Sequence, residues 1–80
     1  MIPIPACTVT TAPVDGRLRR HADPETPVRP GDVVAWLETG TGNELELRTR
    51  TGGRVGGSMF RPGQPIHAGE GVVWMAKVAA

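Results

Sequence analysis

Two stretches of this chain repeat each other, and the repeat limits its possible folds more than any other feature. VRPGDVVAWL at residues 28–37 recurs as IHAGEGVVWM at residues 66–75, and GRL at 16–18 recurs as GRV at 53–55. The offsets, 38 residues (28 to 66) and 37 residues (16 to 53), differ by one. A repeat this short cannot bury its apolar face alone. We therefore expect two similar halves that pack around an approximate twofold axis.

The local pattern inside each half is that of short β-strands. No window places apolar residues at helical spacing for three turns, and Gly and Pro interrupt each stretch before a helix of about ten residues could form. Short alternating or buried runs separated by turn residues are typical of a β-sandwich or barrel. The runs are CTVTTA (7–12), DVVAWLET (32–39), ELELR (44–48) and GVVWMAKV (71–78). The sequence therefore predicts an all-β fold.

Glycine positions predict the turns. Pro30-Gly31 and Pro62-Gly63 each combine a fixed φ with a residue that tolerates positive φ, which is the requirement of a type II turn. GGRVGGS at residues 52–58 lacks the Lys-Ser/Thr ending of a phosphate-binding loop, and no helix follows it. We predict that its glycines mark close approaches in a tightly packed barrel.

Length, charge and cysteine content exclude several classes of protein. Eighty residues predict one domain, residues 1–80, with an extended segment (1–7) before halves at about 8–39 and 44–78. A net charge of +1 implies no strong electrostatic partner. No apolar run approaches the ~18 residues of a membrane span, and the N-terminus lacks a signal-peptide pattern. With the lone Cys7, these features lead us to expect a cytoplasmic protein without membrane or nucleic-acid partners.

The densest basic run is GRLRRH at residues 16–21. In a regular strand Arg17 and Arg19 share one face, while Leu18 and Arg20 share the other. Such a run could contact nucleic acid, but no aromatic stacking platform accompanies it and nearby acids dilute its field. We favour a solvated strand. A small β-barrel nucleic-acid binder remains an alternative.

The sequence gives little support for a metal site or a catalytic site. His21, His67 and Cys7 could ligate a metal with Asp23 or Glu25, but no pair has the spacing of a metal-binding motif. A catalytic cysteine needs a pocket and an orienting group, and a small β core offers little concavity. We expect no metal, no catalytic residue and no enzymatic activity.

The two tryptophans, Trp36 and Trp74, are repeat mates. We expect both to fill the core or cap its ends. The alternative is an exposed anchor for a partner, since Trp is enriched in binding hot spots. The apolar segment MIPIPA at residues 1–6 could also dock on a partner or strap an edge.

Four motifs occur in an order that resembles a known family. They are APVDGRL (12–18), VRPGDVVAWLET (28–39), GGRV (52–55) and FRPGQPIHAGEGVVWM (60–75). With the repeat, they resemble the biotinyl/lipoyl carrier domains, which include biotin carboxyl carrier domains, lipoyl domains and the glycine-cleavage H protein. The resemblance spans about residues 9–78. It implies a flattened β-barrel, the barrel-sandwich hybrid, built from two four-stranded sheets related by a quasi-twofold axis.

The family carries a lysine at the tip of its central hairpin. That lysine is joined to biotin or lipoate, and the domain swings the group between active sites. Here the hairpin reads ETGTGN from Glu38, and the lysine position holds Thr41. The stretch from there to GRV is also one residue longer than usual. The resemblance therefore implies the fold without the carrier chemistry: we expect no biotin, no lipoate and no cofactor at the tip. The tip residues are Gly40, Thr41, Gly42 and Asn43.

Three functions remain open at this point beside the nucleic-acid alternative. The leading hypothesis is a non-enzymatic docking or accessory subunit for an enzyme or complex that handles carrier domains, with the tip as the presented surface. The second is a true acyl or carboxyl carrier with an atypical attachment at Thr41, Ser58 or Lys77, the only lysine. The third is a structural module whose partner is a larger enzyme of the same pathway.

Overall fold

The computed structural model describes residues 7–40 and 42–76, and within them the chain forms two four-stranded antiparallel sheets without a helix. The strands are β1 (Cys7–Thr11), β2 (Gly16–His21), β3 (Pro27–Val28), β4 (Val33–Thr39), β5 (Glu44–Arg48), β6 (Gly53–Ser58), β7 (Pro65–Ile66) and β8 (Gly71–Ala76). The predicted all-β fold class is confirmed. In these two ranges no helix is long and apolar enough to cross a membrane.

The repeat is visible in the strand order. The first sheet has the order β1-β8-β6-β3, and the second has the order β5-β4-β2-β7. Exchanging each strand with the strand four places away in the chain converts one order into the other. Each half contributes two strands to each sheet, so neither sheet belongs to one half. This interleaving lets two short repeats share one core.

Aliphatic side chains from both halves form that core. Repeat mates are buried alike: Leu18 and Val55 are each 1% exposed, while Leu37 and Met75 are 0% and 2% exposed. The full set of buried apolar residues is Ala12, Leu18, Val28, Val34, Ala35, Leu37, Leu47, Val55, Ile66, Val72, Val73 and Met75. The sequence repeat therefore supplies the inner faces of both sheets with equivalent apolar residues.

The turns also come in repeat-related pairs. The predicted positive φ is confirmed at Gly31 (95°) and Gly63 (94°), each the third residue of a turn that follows a proline. The repeat mate of Gly63 is Glu25, which also has a positive φ, 71°. Sequence analysis missed Glu25, because an acidic residue gives no local signal for this conformation.

A β-bulge in β2 corrects the predicted placement of the basic run. The pairing of β2 with β4 shifts between Leu18 and Arg20, and β6 has the matching shift against β8 between Val55 and Gly57. The extra residue turns Arg20 outward, so Arg19 and Arg20 are both exposed while Leu18 is buried. The prediction that Arg20 shares a face with Leu18 is wrong, because strict alternation does not survive a bulge.

The prediction that both tryptophans fill the core or cap its ends is also wrong. Trp74 is 37% exposed on the outer face of the first sheet. Trp36 is half-buried on the outer face of the second sheet, where the Arg20 guanidinium lies 4.2 Å from its ring centroid. The inward positions beside them are taken by Leu37 and Met75.

Candidate functional site

The β4–β5 hairpin is the element in which the sequence resemblance predicts the lysine position of carrier domains. The Thr39 amide donates to the Asn43 carbonyl at 2.9 Å, and the Thr39 hydroxyl donates to the same oxygen at 3.2 Å. The Gly42 amide donates back to the Thr39 carbonyl at 2.8 Å, with Gly42 at a φ of 82°. These bonds close a compact turn. Thr41 lies outside the described residues, as do Lys77 and the segment 1–6.

Charged side chains flank the base of this turn. Glu38 and Glu44 are paired across the hairpin, an arrangement in which like charges destabilise a sheet. Arg19 on the neighbouring strand offsets this repulsion. Its Nε lies 3.9 Å from Glu38 Oε2, and its Nη1 lies 3.7 Å from Glu44 Oε2. All three side chains are about half exposed, so the cluster remains open to a partner.

A second loop lies beside the hairpin. Gly16 pairs with Thr39 on one side and with Ile66 on the other, which brings the loops next to Asp15 and His67 to the tip end of the sheet. Asp15 Oδ1 accepts a 2.7 Å hydrogen bond from the Ala68 amide and lies 4.0 Å from His67 Nδ1. The tip end is thus bordered by three carboxylates, those of Asp15, Glu38 and Glu44. Sequence analysis missed this grouping, since only the strand register brings these residues together.

The remaining candidate residues form no reactive site. In the part of the chain that the structure describes, no group of three or more His, Cys, Asp or Glu side chains could hold a metal ion. His21 Nδ1 donates to the Ala22 carbonyl at 2.9 Å, His67 is exposed, and Cys7 is exposed at the start of β1. Ser58 donates to the Phe60 carbonyl at 2.7 Å and to the Val72 carbonyl at 3.3 Å. Its hydroxyl therefore orders a loop.

A groove of about 550 Å³ opens between the edge strands β1 and β5. Threonines dominate its walls, and the hydroxyls of Thr8 and Thr51 hydrogen-bond across it at 2.7 Å. Its charged residues are Glu46, Arg48 and Arg50, and Arg48 already contacts Glu46 at 2.9 Å. The lining contains neither a nucleophile paired with a base nor a pair of carboxylates, so this groove gives no support to catalysis.

Solved structures share this fold. The chain matches Kluyveromyces lactis urea carboxylase with a TM-score of 0.81 and 20% identity, covering 94% of this chain and 7% of that one. It matches a single-chain, multi-domain long-chain acyl-CoA carboxylase with a TM-score of 0.81 and 15% identity, covering 100% and 8%. The ectoine utilization protein EutE (DoeB) of Ruegeria pomeroyi gives a TM-score of 0.74 and 28% identity, covering 88% and 22%.

No family model matches the chain, and no curated protein matches it by sequence. The chain spans less than a quarter of each of the three proteins above. Their activities therefore do not transfer through the likeness, which concerns one part of each. The matches show the fold alone: this chain shares its fold with one part of each of these proteins.

Proposed function

We propose that this chain is a non-enzymatic biotinyl/lipoyl-like domain that carries no group at its hairpin tip and acts as a docking or accessory subunit. Its partner is an enzyme that handles carrier domains, such as a biotin-dependent carboxylase or a biotin protein ligase. The observation that carries the proposal is the hairpin itself. The turn between Glu38 and Glu44 is closed by backbone hydrogen bonds, and its sequence, TGTGN, contains no amine.

An enzyme that recognises a carrier domain by its shape should recognise this chain as well. Two cross-strand hydrogen bonds from Thr39 to Asn43 hold the tip, and Arg19 holds the base together against the repulsion between Glu38 and Glu44. Side chains and backbone groups already held by such contacts lose little further entropy on binding. With Asp15, the carboxylates give the tip end an acidic border. We infer that the partner surface is basic.

The alternative of an atypically attached carrier is weaker for a physical reason. An acyl ester on a hydroxyl requires that hydroxyl to be free to react, whereas Ser58 Oγ bonds two backbone carbonyls and also accepts the Phe60 amide at 3.2 Å. Acylation would remove the hydroxyl proton from these contacts and leave the Phe60 carbonyl without its Ser58 donor. Thr41 and Lys77 are the remaining candidates for this alternative.

Competition with a true carrier domain tests the proposal. A lysine-bearing carrier domain is biotinylated by the ligase, or carboxylated by the carboxylase, of the same organism while this chain is added in excess. We expect the chain to slow at least one reaction and to remain unlabelled. The double variant Glu38→Lys/Glu44→Lys should lose this inhibition, because it reverses the charge at the base of the tip.

Asp23→Lys is the matched control, since Asp23 is an exposed acid in the β2–β3 loop, at the opposite end of β2 from the hairpin. It should inhibit as well as the unaltered chain. If the chain inhibits neither the ligase nor the carboxylase, the docking role is contradicted. Labelling of the chain itself would contradict the absence of cargo.

A further inference from the structure

The two sheets end in four edge strands, and all but β1 carry features that oppose the addition of a further strand. The strands β3 and β7 have two residues each and begin with Pro27 and Pro65. The strand β5 presents Glu44, Glu46 and Arg48 on its exposed face. Short length, proline and charge are the means by which proteins protect an open sheet edge. The strand β1 has five residues, CTVTT, with neither proline nor charge.

The backbone of β1 presents hydrogen-bonding groups along its free edge. In an antiparallel ladder, hydrogen-bonded pairs alternate with pairs that are not bonded to each other. Thr39 and Asn43 are bonded at the hairpin, so the alternation turns the amide and carbonyl of Glu46 away from β4. Val9 is the repeat mate of Glu46, and each of the two is paired with a tryptophan. The amide and carbonyl of Val9 therefore point away from β8, as do those at the alternate positions of β1.

The groove between β1 and β5 lies beside this free edge. Its wall on the β1 side carries Thr8 and Thr10, which are half-buried, whereas their repeat mates in β5 are Leu45 and Leu47. The repeat is thus broken in favour of hydroxyls at the inward positions of β1. The groove volume of about 550 Å³ lies within the range of small-ligand pockets. It can receive the inward side chains of a strand added to β1, because neighbouring strands turn their side chains to the same faces.

The opposite wall of the groove carries a cation that the described residues do not neutralise. Arg48 Nη2 lies 2.9 Å from Glu46 Oε1, and Arg48 Nη1 donates to the Gly31 carbonyl at 2.8 Å. The side chain of Arg50 also lines the groove, and it forms no ion pair or hydrogen bond within residues 7–40 and 42–76. A guanidinium binds a carboxylate through two parallel hydrogen bonds. The groove therefore favours an acidic side chain.

We propose that the β1 edge binds an extended peptide of a partner protein as an added strand, with an acidic side chain of the peptide in the groove against Arg50. Backbone hydrogen bonds to Val9 and the alternate positions of β1 supply affinity, and the groove supplies selectivity. The charge of the groove decides between occupants. Strand β1 of a second copy carries no carboxylate, so it would leave Arg50 without a counter-charge. An acidic peptide matches both the edge and the cation.

Selection from a phage-displayed library of random peptides of about nine residues, the length of a long strand, tests the proposal on the purified full chain. We expect the enriched peptides to carry Glu or Asp between β-branched residues. A synthetic copy of an enriched peptide is then titrated by calorimetry, beside a copy whose acid is replaced by the amide. Arg50→Gln should weaken binding of the acidic peptide about tenfold and leave binding of the amide peptide unchanged. Arg61→Gln, another exposed arginine without an ion pair among the described residues, is the matched control.

A second pair of variants tests the backbone contacts. Val9→Pro removes an amide at the free edge, where proline is tolerated, and should weaken binding of both peptides at least tenfold. Val9→Thr keeps the amide and should bind like the unaltered chain. The proposal is overturned if no peptide is enriched, if the enriched peptides lack an acid, or if binding survives both Arg50→Gln and Val9→Pro. Self-association of the chain that Val9→Pro abolishes would also overturn it, since a second copy would then occupy the edge.

Discussion

The two halves of the molecule form equivalent backbone hydrogen bonds but carry different side chains on their outer surfaces. Leu18 in the first half donates to the Gln64 carbonyl at 3.0 Å, and its repeat mate Val55 donates to the Thr26 carbonyl at 2.9 Å. The bulges in β2 and β6 match as well. Yet beside the bulge the first half places Arg19 and Arg20, and the second half places two glycines.

This difference shows which positions the fold constrains. Inward side chains and turn residues are alike in both halves because one core and one set of hydrogen bonds serve both sheets. Outward side chains contribute little to that core, so they can diverge. One face has become charged and lies beside the hairpin, whereas the other has become apolar. The following changes test that division between a symmetric interior and two unlike exteriors.

Truncation of the core should have the largest effect, and it should be similar in both halves. Leu37→Ala and Met75→Ala each remove most of a buried side chain, at equivalent positions of the shared core. We expect each to lower the free energy of unfolding by about 2–5 kcal/mol, measured by urea denaturation. Both variants should unfold in a single transition. Separate transitions for the two halves would contradict a shared core.

Gly56→Ala should come next and should distinguish the two faces. The added methyl overlaps the Trp74 ring, so the ring must move away from β6. We expect a loss of about 1–3 kcal/mol in the free energy of unfolding, typical of overpacking. Its mate, Arg19→Ala, should cost no more than about 1 kcal/mol, because only exposed ion pairs are lost. Equal losses at the two positions would show that the faces are not differentiated.

Substitutions at Gly63 and at its repeat mate Glu25 should change the free energy of unfolding in opposite directions. Gly63→Ala should lower the free energy of unfolding by about 1 kcal/mol, since its φ of 94° disfavours any Cβ. Apart from the residue itself and its two chain neighbours, no heavy atom lies within 4 Å of the position that the methyl would take, so the effect is conformational. Glu25→Gly at the mate position should raise the free energy by about 0.5 kcal/mol, because relief of the positive φ exceeds the loss of an exposed ion pair. A destabilised Glu25→Gly variant would contradict this account of the turn.

Loss of the Arg20–Trp36 contact should have the smallest effect. A cation–π contact at a partly exposed site contributes about 0.5–1 kcal/mol, so Arg20→Ala should lower the free energy of unfolding by at most that amount. The fluorescence of Trp36 should shift towards longer wavelength as water replaces the guanidinium. Trp36→Phe leaves only the emission of Trp74 and serves as the control, since Arg20→Ala should not shift the spectrum in that background. An unchanged spectrum would mean that Arg20 does not cover Trp36 in solution.

The sequence predicted what the repeat constrains and missed what depends on register. Apolar alternation predicted the all-β class and Pro-Gly pairs predicted the turns at Gly31 and Gly63, because both are local signals. The two four-stranded sheets were predicted by the family resemblance. The positive φ of Glu25 was accessible only through its repeat mate. The outward orientation of Arg20 depends on a bulge, which alternation cannot reveal. The contacts of Arg19 with both glutamates depend on how three strands align.

We propose that this chain bears no cargo at its β4–β5 hairpin, and the intact mass of the protein purified from its native host tests this directly. We predict a mass equal to that of the unmodified chain. An added mass matching a biotinyl, lipoyl or other acyl group would contradict the claim, and fragmentation would then identify Thr41, Ser58 or Lys77 as the attachment site.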